Sequence, residues 1–329
     1  MPSDLASFPF AKRLRYRLEH AALRAAADIV PLLPSEALEP LANAIGSAAY
    51  HLDARGRNTA HANLAVVFPE RSTDDRARIA RGSYQSFARA MLCLFWSPNL
   101  NPGNLDHYVS IEGLHDHPIH LDPTRAGLYY TFHFSNFEWF GHASANAVTP
   151  GLIVTQQFKN PLIGPIFDSL RSNCGHTVVP QTRAIIRILK HLKAGKKTGA
   201  VTDLSLDPKH GAIPIKCFGL WTPASPLLSV IVERTDALLV PSQTFPDPNG
   251  RFRLRYHPPV ELPPNPTPQQ VTQAAWDVME VGIRSHPECW LWAYKQWRFR
   301  PTDTEGKTYP TYANTAKRFD KLLAEHRGE

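Results

Sequence analysis

A chain of 329 residues with 43% hydrophobic content can bury a substantial core, as one large α/β domain or as two smaller ones. Lys and Arg outnumber Asp and Glu by 36 to 29, which gives a formal net charge of +7 and an isoelectric point near 9.3. This balance favours acidic partners such as nucleic acid, anionic lipid or an acidic carrier protein. The four cysteines show no C-x-x-C spacing, which disfavours a zinc site or a disulfide framework. No apolar run reaches eighteen residues, so a transmembrane anchor is not expected.

The first thirty residues carry an amphipathic helical pattern. Its apolar stripe consists of Phe10, Leu14, Leu18, Ala21, Ala22, Ala25 and Ile29. Its basic flank consists of Lys12, Arg13, Arg15, Arg17, His20 and Arg24. A helix of this kind lies in the headgroup boundary of an anionic membrane. The same pattern also fits a helix that docks on the core with its polar face in solvent.

Three further helices are predicted before the middle of the chain. A helix rich in Ala and Gly covers 35–51, and a basic helix covers 55–68 before a proline closes it. Ser72 is predicted to cap a long helix that ends near Trp96. We therefore interpret residues 1–100 as a helical, membrane-associating region.

Beyond residue 100, short apolar runs alternate with helical patterns. The predicted strands cover 153–155, 177–179, 199–202, 238–241 and 252–257. The predicted helices cover 161–173, 182–194, 223–234 and 268–285. This alternation predicts an α/β fold with a largely parallel sheet flanked by helices. We place this α/β core at residues 101–305 and a C-terminal helical tail at 306–329.

The segment that starts at Gly127 is the strongest candidate for a reactive site. Residues 128–132 predict a buried strand, and Ser135 is predicted to open a helix with Glu138 three residues later. Residues five apart on one helix lie about 140° apart, so His133 must occupy the turn before the helix to meet Glu138. The Glu138 carboxylate would then fix one imidazole tautomer and support a positive charge. Because Ser135-x-x-Glu138 is also a capping-box signature, a purely structural helix start fits the same residues.

Other sequence signals argue against several classes of function. His115, His117 and His120 could bind a metal, but they lack a second ligand cluster, and a solvated loop is the better interpretation. No glycine-rich phosphate loop and no G-x-S-x-G elbow occurs. The basic residues do not alternate with exposed aromatic residues along one strand, which disfavours nucleic-acid binding.

An ordered series of short blocks runs through the chain. Upstream, the blocks are Asn63-Leu64, Phe68-Pro69-Glu70 and Trp96. From the reactive segment onward, the blocks are His133-x4-Glu138, Asn160-Pro161-Leu162, Leu170 to Asn173, Leu192 to Lys196, Asp203, Cys217-Phe218-Gly219, Trp290-Leu-Trp292 and Arg300-Pro301. In this order, the blocks resemble those of the bacterial late lipid A acyltransferases, the lauroyl and myristoyl transferases of the lysophospholipid acyltransferase superfamily. The resemblance runs from about residue 40 to 301.

The resemblance implies acyl transfer from a thioester, on acyl carrier protein or coenzyme A, to a lipid hydroxyl. It places the reaction at the cytoplasmic face of the inner membrane, with the protein peripheral or monotopic. His133 would be the general base and Glu138 would orient its ring. Arg171 and Asp203 complete the family's functional set. No metal and no cofactor is expected. The acyl thioester is counted as a co-substrate.

Further contacts with substrate and donor are predicted. Asn136, Lys295 and Arg298 are predicted to contact substrate. A basic helix end is predicted to dock an acidic carrier protein, and a solvated helix end with cations near its C-terminus fits the same residues. Its members are Lys190, His191, Lys193, Lys196 and Lys197.

The chain departs from the family pattern at anion-contacting positions. Gln156 and Gln296 stand where arginines are common, Tyr294 stands in place of a histidine, and Leu204 stands in place of a glutamine. These differences predict an acceptor that is less anionic than a bisphosphorylated lipid A precursor, such as a lysophospholipid or an amino-acid-linked lipid. The alternative to an enzyme is a lipid-binding membrane protein without catalytic activity.

Overall fold

The computed structural model of the chain describes residues 8–117, 120–155 and 157–327. The first elements are α1 (Phe10–Ile29), α2 (Leu38–Leu52), α3 (Ala54–Val67), α4 (Thr73–Trp96), α5 (Leu105–Tyr108) and β1 (Val109–Glu112). The next are β2 (Gly127–Thr131), α6 (Phe137–Ala147), β3 (Leu152–Thr155), α7 (Gly164–Ser172), β4 (Thr177–Pro180), α8 (Ala184–Lys193) and β5 (Lys197–Val201). The last are β6 (Ile213–Cys217), β7 (Leu220–Ala224), α9 (Leu227–Arg234), β8 (Leu238–Pro246), β9 (Phe252–Tyr256), α10 (Pro268–Ser285), β10 (Phe299–Arg300), β11 (Asn314–Thr315) and α11 (Lys317–Arg327).

Seven strands form the central sheet, in the order β1-β9-β8-β2-β5-β3-β4. Strands β2, β3, β4, β5 and β8 run parallel to one another. Strand β9 is antiparallel to β8 and parallel to β1. All five residues of β2 are buried, which is typical of a parallel strand covered on both faces. The predicted α/β fold with a largely parallel sheet flanked by helices is therefore confirmed.

The five parallel strands end at one edge of the sheet, here called the carboxyl edge. Thr131 at the end of β2 pairs with Val201 at the end of β5. His133 and Asp203 each follow two residues beyond that pair. The register of these two neighbouring strands therefore brings both side chains to the same point of the carboxyl edge.

Helices cover both faces of the sheet. One hydrophobic cluster joins α6 and α7 to α4, through residues such as Trp139, Phe167 and Phe95. A second cluster lies on the other face and joins α8 to α10, through residues such as Ile188 and Met279. The placement of helices on both faces agrees with the right-handed crossovers expected between parallel strands.

The predicted helical character of the N-terminal region is confirmed. The Ser72 hydroxyl caps α4 by accepting a hydrogen bond from the Asp75 amide, at 3.1 Å. Gly46 allows α2 to approach α4 closely, since a Cβ atom there would lie 2.4 Å from the Cα of Gln85. These helices share both hydrophobic clusters with the sheet. The division of the chain at residues 100 and 305 stays a prediction.

The start of α6 differs from the prediction. Ser135 has a φ of 49°, in the left-handed region, and does not cap the helix. The N-cap is Asn136, whose Oδ1 accepts a hydrogen bond from the Trp139 amide at 3.1 Å. The chain turns more sharply after β2 than a simple strand-to-helix junction, so the helix starts later.

The sequence-based prediction omitted some elements and misplaced others. Strand β1 and the β6–β7 hairpin were not predicted, and α9 begins at Leu227 because β7 occupies residues up to Ala224. His120 is buried and lies 3.2 Å from the Tyr129 hydroxyl, so it does not belong to a solvated loop. Phe319 of the tail helix α11 is buried near Trp221. Within the described ranges, no helix has the length and apolar character needed to cross a membrane.

Candidate active site

His133 and Asp203 form the centre of the candidate site at the carboxyl edge. The Nδ1 atom of His133 lies 2.7 Å from Oδ1 of Asp203, and the His133 amide donates to Oδ2 at 3.1 Å. The Asp203 carboxylate is buried, whereas 21% of the His133 side chain remains exposed. The imidazole therefore has one nitrogen on a buried anion and the other facing the accessible side of the site.

Three donors hold the Asp203 carboxylate in its ionised state. Burial alone would raise the pKa of Asp203, but the His133 ring, the Trp290 indole and the His133 amide together lower it. The Trp290 Nε1 atom donates to Oδ2 at 2.9 Å. Because an ionised carboxylate only accepts hydrogen bonds, Nδ1 of His133 carries the proton and Nε2 is free to accept one.

The same carboxylate makes His133 a stronger base. Burial by itself lowers the pKa of His133, but the charge of Asp203 and its hydrogen bond, with a smaller contribution from Glu138, raise it above its usual value near 6.5. The Phe137 ring packs edge-on against the imidazole, with ring centroids 5.0 Å apart. These contacts fix the ring plane as well as the tautomer.

Glu138 forms a two-point ion pair with Arg171. The Arg171 Nε atom donates to Oε2 of Glu138 at 3.0 Å, and Nη2 donates to Oε1 at 2.6 Å. The Glu138 carboxylate is buried and the Arg171 side chain is largely so. Bidentate geometry of this kind is the strongest form of carboxylate–guanidinium contact.

The predicted orientation of His133 by Glu138 is therefore corrected. The hydrogen bond to the imidazole comes from Asp203, because strand register places that carboxylate beside the ring. Glu138 instead points towards α7, where the Arg171 guanidinium engages both of its oxygens. Glu138 still affects His133 through its charge, which raises the imidazole pKa.

The structure shows the surroundings of the other three predicted substrate contacts, Asn136, Lys295 and Arg298. Asn136 is fully buried and caps α6, which is a structural role. The Lys295 ammonium lies 5.3 Å from the centre of the Tyr312 ring, and Arg298 is exposed beside Phe299. Substrate binding by Asn136, Lys295 and Arg298 stays a prediction.

Two positions at which the chain departs from the family pattern, Tyr294 and Gln296, lie within the described residues. Gln296 is only 2% exposed, and the Tyr294 hydroxyl donates to the Ser205 carbonyl at 3.0 Å. Gln156 lies outside the described residues.

Trp290 is a site residue to which the sequence assigned no role. Besides its bond to Asp203, its backbone carbonyl accepts a hydrogen bond from Ser83 of α4, and its backbone forms a bridge with Phe134. The Asn63 amide reaches the same segment by donating to the carbonyl of Trp292 at 2.8 Å. The blocks Asn63-Leu64 and Trp290-Leu-Trp292 are the signal in the sequence, because Asn63 contacts the segment whose Trp290 binds Asp203.

Comparison with known proteins identifies the class of this protein. Residues 9–299 match the family described as bacterial lipid A biosynthesis acyltransferase. The lipid A biosynthesis lauroyltransferase of Escherichia coli strain K12 is 25% identical over 284 residues, covering 83% of this chain and 89% of that protein. The chain is thus an acyltransferase. In particular, it belongs to the bacterial lipid A biosynthesis acyltransferase family, which confirms the resemblance drawn from the sequence.

The Glu138–Arg171 ion pair is predicted to contribute to the stability of the fold. Replacing Arg171 by Met leaves the buried Glu138 carboxylate without its partner, and we expect the free energy of unfolding to fall by about 3 kcal/mol. The matched change at the exposed Arg187 of α8, Arg187→Met, should alter it by less than about 0.5 kcal/mol. Urea denaturation of both variants measures the difference.

A double variant separates this ion-pair effect from lost packing. Glu138→Gln combined with Arg171→Met removes both charges, so it should be less destabilised than the sum of the two single changes. Strictly additive losses would contradict a coupled pair.

Proposed function

We propose that the protein transfers a fatty acyl chain from an acyl thioester to a hydroxyl group of a lipid A-type precursor. The observation that carries this proposal is the His133–Asp203 dyad, which holds an imidazole with a free Nε2 at the carboxyl edge. Family membership supports the acyl-transfer chemistry and the class of acceptor.

His133 acts as the general base in this proposal. Its Nε2 atom removes the proton from the acceptor hydroxyl while that oxygen attacks the thioester carbonyl carbon. The resulting tetrahedral intermediate collapses by breaking the carbon–sulfur bond, and the imidazolium returns the proton to the departing thiolate. Asp203 stabilises the imidazolium throughout, because its carboxylate remains ionised and hydrogen-bonded to Nδ1.

Arg171 stabilises the negative charge that develops on the carbonyl oxygen. Two of its three guanidinium nitrogens are bound by Glu138, and Nη1 makes no hydrogen bond to any residue that the structure describes. Glu138 thereby fixes the direction of the guanidinium. A preorganised donor of this type typically contributes about 10²–10³-fold to an acyl-transfer rate.

The raised pKa values of the buried cysteines favour direct attack of the acceptor hydroxyl on the thioester. Burial raises the pKa of Cys93 and of Cys289 to about 12, and burial also raises the pKa of Cys217. A thiol with such a pKa is not a ready nucleophile at neutral pH. An acyl-enzyme intermediate on these residues is therefore disfavoured.

Substitutions in the dyad test this mechanism. His133→Ala should abolish transfer, whereas Glu138→Gln should leave a folded enzyme with a residual rate. Asp203→Asn should reduce kcat by about 10³-fold or more, because an amide NH₂ facing Nδ1 favours the wrong tautomer. Turnover of an acyl thioester with lipid acceptor, together with circular dichroism for folding, measures these effects. Near-normal turnover by His133→Ala would refute the assignment, and inactivity of the wild-type protein would favour a lipid-binding role.

The same dyad predicts a pH dependence. A general base must be unprotonated, so kcat/KM should fall as the pH drops through the raised pKa of His133, above about 6.5. Asp203→Asn removes the charge that raises this pKa and should move the acidic limb to lower pH. A limb that stays in place in the residual activity of this variant would exclude His133 as the titrating base.

The donor is proposed to be an acyl thioester of carrier protein or of coenzyme A. Lys197 is not available for the predicted docking of a carrier protein. It is only 6% exposed, and its Nζ donates to the carbonyls of His120 and Asp122. The exposed members Lys190, Lys193 and Lys196 lie towards the end of α8 that is remote from the carboxyl edge. Docking there stays a prediction for these three residues.

The acceptor is predicted to carry fewer phosphates than a bisphosphorylated lipid A precursor. Tyr294, at a position where the family has a histidine, already bonds the Ser205 carbonyl and offers no cation. Gln296 is buried, so that position does not bear on the acceptor. Phosphate desolvated without a charged donor is costly, which favours a less anionic lipid.

A competition assay checks the acceptor. Bisphosphorylated, monophosphorylated and phosphate-free hydroxylated lipids are offered together with one acyl donor, and the products are quantified by mass spectrometry. We expect the monophosphorylated or phosphate-free lipid to be acylated faster. Preference for the bisphosphorylated lipid would overturn this prediction while leaving the dyad mechanism intact.

Helix α1 is proposed to hold the protein on an anionic membrane surface. Its predicted stripe is exposed, as Phe10, Leu14, Leu18 and Ile29 show. Only Tyr16 of this helix is buried. An exposed apolar stripe with basic neighbours is typical of an interfacial helix.

Substitution of the stripe tests the membrane proposal. Leu14→Ser with Leu18→Ser should release the protein from vesicles that contain phosphatidylglycerol, and high salt should release the wild type in part. The control is Leu121→Ser, an exposed leucine in the loop before β2. If the stripe variant partitions like the control, α1 is not the membrane contact.

A further inference from the structure

A long basic segment surrounds α8. Between Asp168 and Asp203 the sequence contains seven Lys or Arg residues and no Asp or Glu. Arg171 is paired with Glu138, and Lys197 is buried. The other five, Arg183, Arg187, Lys190, Lys193 and Lys196, are exposed and have no ion-pair partner among the residues that the structure describes.

Two adjacent isoleucines lie exposed within this positive field. Ile185 is 39% exposed and Ile186 is 66% exposed, whereas Ile188 one turn later is buried against the sheet. Arg183 and Arg187 flank the pair. An exposed apolar pair bordered by unpaired cations matches a partner that is both apolar and anionic.

The topology places this pair at the same edge of the sheet as His133, three strands away. Strand β4 ends at the carboxyl edge, where the Gln181 amide donates to the Thr155 carbonyl of β3 at 3.0 Å. Helix α8 starts directly after this turn and runs back along the sheet for about 15 Å, given its ten residues. Arg183 and Ile186 therefore lie at the same edge as His133, while Lys193 lies at the opposite edge.

Two further exposed apolar segments lie at that edge. Phe158, 39% exposed, belongs to the loop that follows β3. The next part of this loop is attached to α1, because the buried Asn160 amide donates to the Tyr16 carbonyl at 2.9 Å and to Glu19 at 3.0 Å. Helix α1, which carries the exposed stripe, is thus held beside the loop at the carboxyl edge.

We propose that the first turns of α8, with Ile185 and Ile186 as apolar contacts and Arg183 and Arg187 as headgroup contacts, form a second membrane-binding surface for anionic lipid. This proposal rests on the membrane association proposed for α1. Together, α1, Phe158 and α8 direct the carboxyl edge, and with it His133, towards the bilayer from which the lipid acceptor arrives.

A lipid surface fits these contacts better than an acidic protein does. The apolar residues come from three separate segments distributed along one edge of the sheet. A membrane can contact all of them at once, whereas one acidic helix would cover α8 alone. Lipid headgroups also satisfy scattered cations without requiring matched positions.

Sedimentation with sucrose-loaded vesicles tests this surface in the full-length chain with α1 intact. The vesicles contain phosphatidylethanolamine and phosphatidylglycerol, with phosphatidylcholine vesicles as the neutral reference. Ile185→Ser with Ile186→Ser should weaken partitioning about tenfold, from loss of buried apolar area. Arg183→Glu with Arg187→Glu should weaken it roughly 30-fold on anionic vesicles only.

Matched controls come from the opposite edge of the sheet. Leu121→Ser controls for loss of an exposed apolar side chain. Lys193→Glu with Lys196→Glu controls for the same change of net charge on the same helix. Both controls should partition like the wild type, and circular dichroism verifies that every variant is folded.

The outcomes separate this proposal from those on which it rests. If the α8 variants partition like the wild type while the α1 stripe variant dissociates, the second surface is refuted and α1 stands. If partitioning is unchanged but KM rises for acyl carrier protein and not for acyl-CoA, the surface binds an acidic protein and the lipid proposal is wrong. Equal losses from both charge reversals would show a dependence on net charge alone, which also overturns it.

Discussion

The buried Asp203 carboxylate is the interaction on which the rest of the site depends. An unpaired carboxylate at this depth would be strongly destabilising, so its charge persists because three donors from two distant segments surround it. Satisfying this charge fixes the tautomer of His133, and it also ties the Trp290 segment to the sheet. The same carboxylate thus sets the protonation of His133, the proposed base, and joins the Trp290 segment to the sheet.

Asp203 and Glu138 illustrate how two buried carboxylates acquire different tasks. Asp203 is held by neutral donors and the imidazole, so its charge acts on His133. Glu138 is held by the Arg171 guanidinium, so its charge is largely compensated and its main effect is to direct that cation. In the proposed mechanism, Asp203 follows β5 and Glu138 lies on α6, so base strength and oxyanion stabilisation can be adjusted separately.

Most secondary structure followed from apolar periodicity and caps, including α4 from Ser72 and the buried strand β2. The partner of His133 did not follow, because a spacing of five residues suggested the local carboxylate Glu138, whereas Asp203 is seventy residues further along the chain. That pairing depends on β2 and β5 being neighbours, and hydrophobic pattern does not specify strand order. The family resemblance supplied Asp203 and Arg171 as functional residues but not their contacts. The short turn through Ser135 was missed because serine rarely adopts a positive φ.

Strand β2 is the first strand of the parallel set to be synthesised, yet it lies in the middle of the sheet. Its two neighbours, β5 and β8, begin 70 and 111 residues later, at Lys197 and Leu238 against Gly127. A nascent chain therefore carries an aromatic, unpaired strand for much of its translation, and the donor from Trp290 arrives later still. Such non-local pairing slows folding, because the loop entropy of about seventy residues or more is lost before β2 gains its neighbours, and it leaves an apolar strand edge open during synthesis.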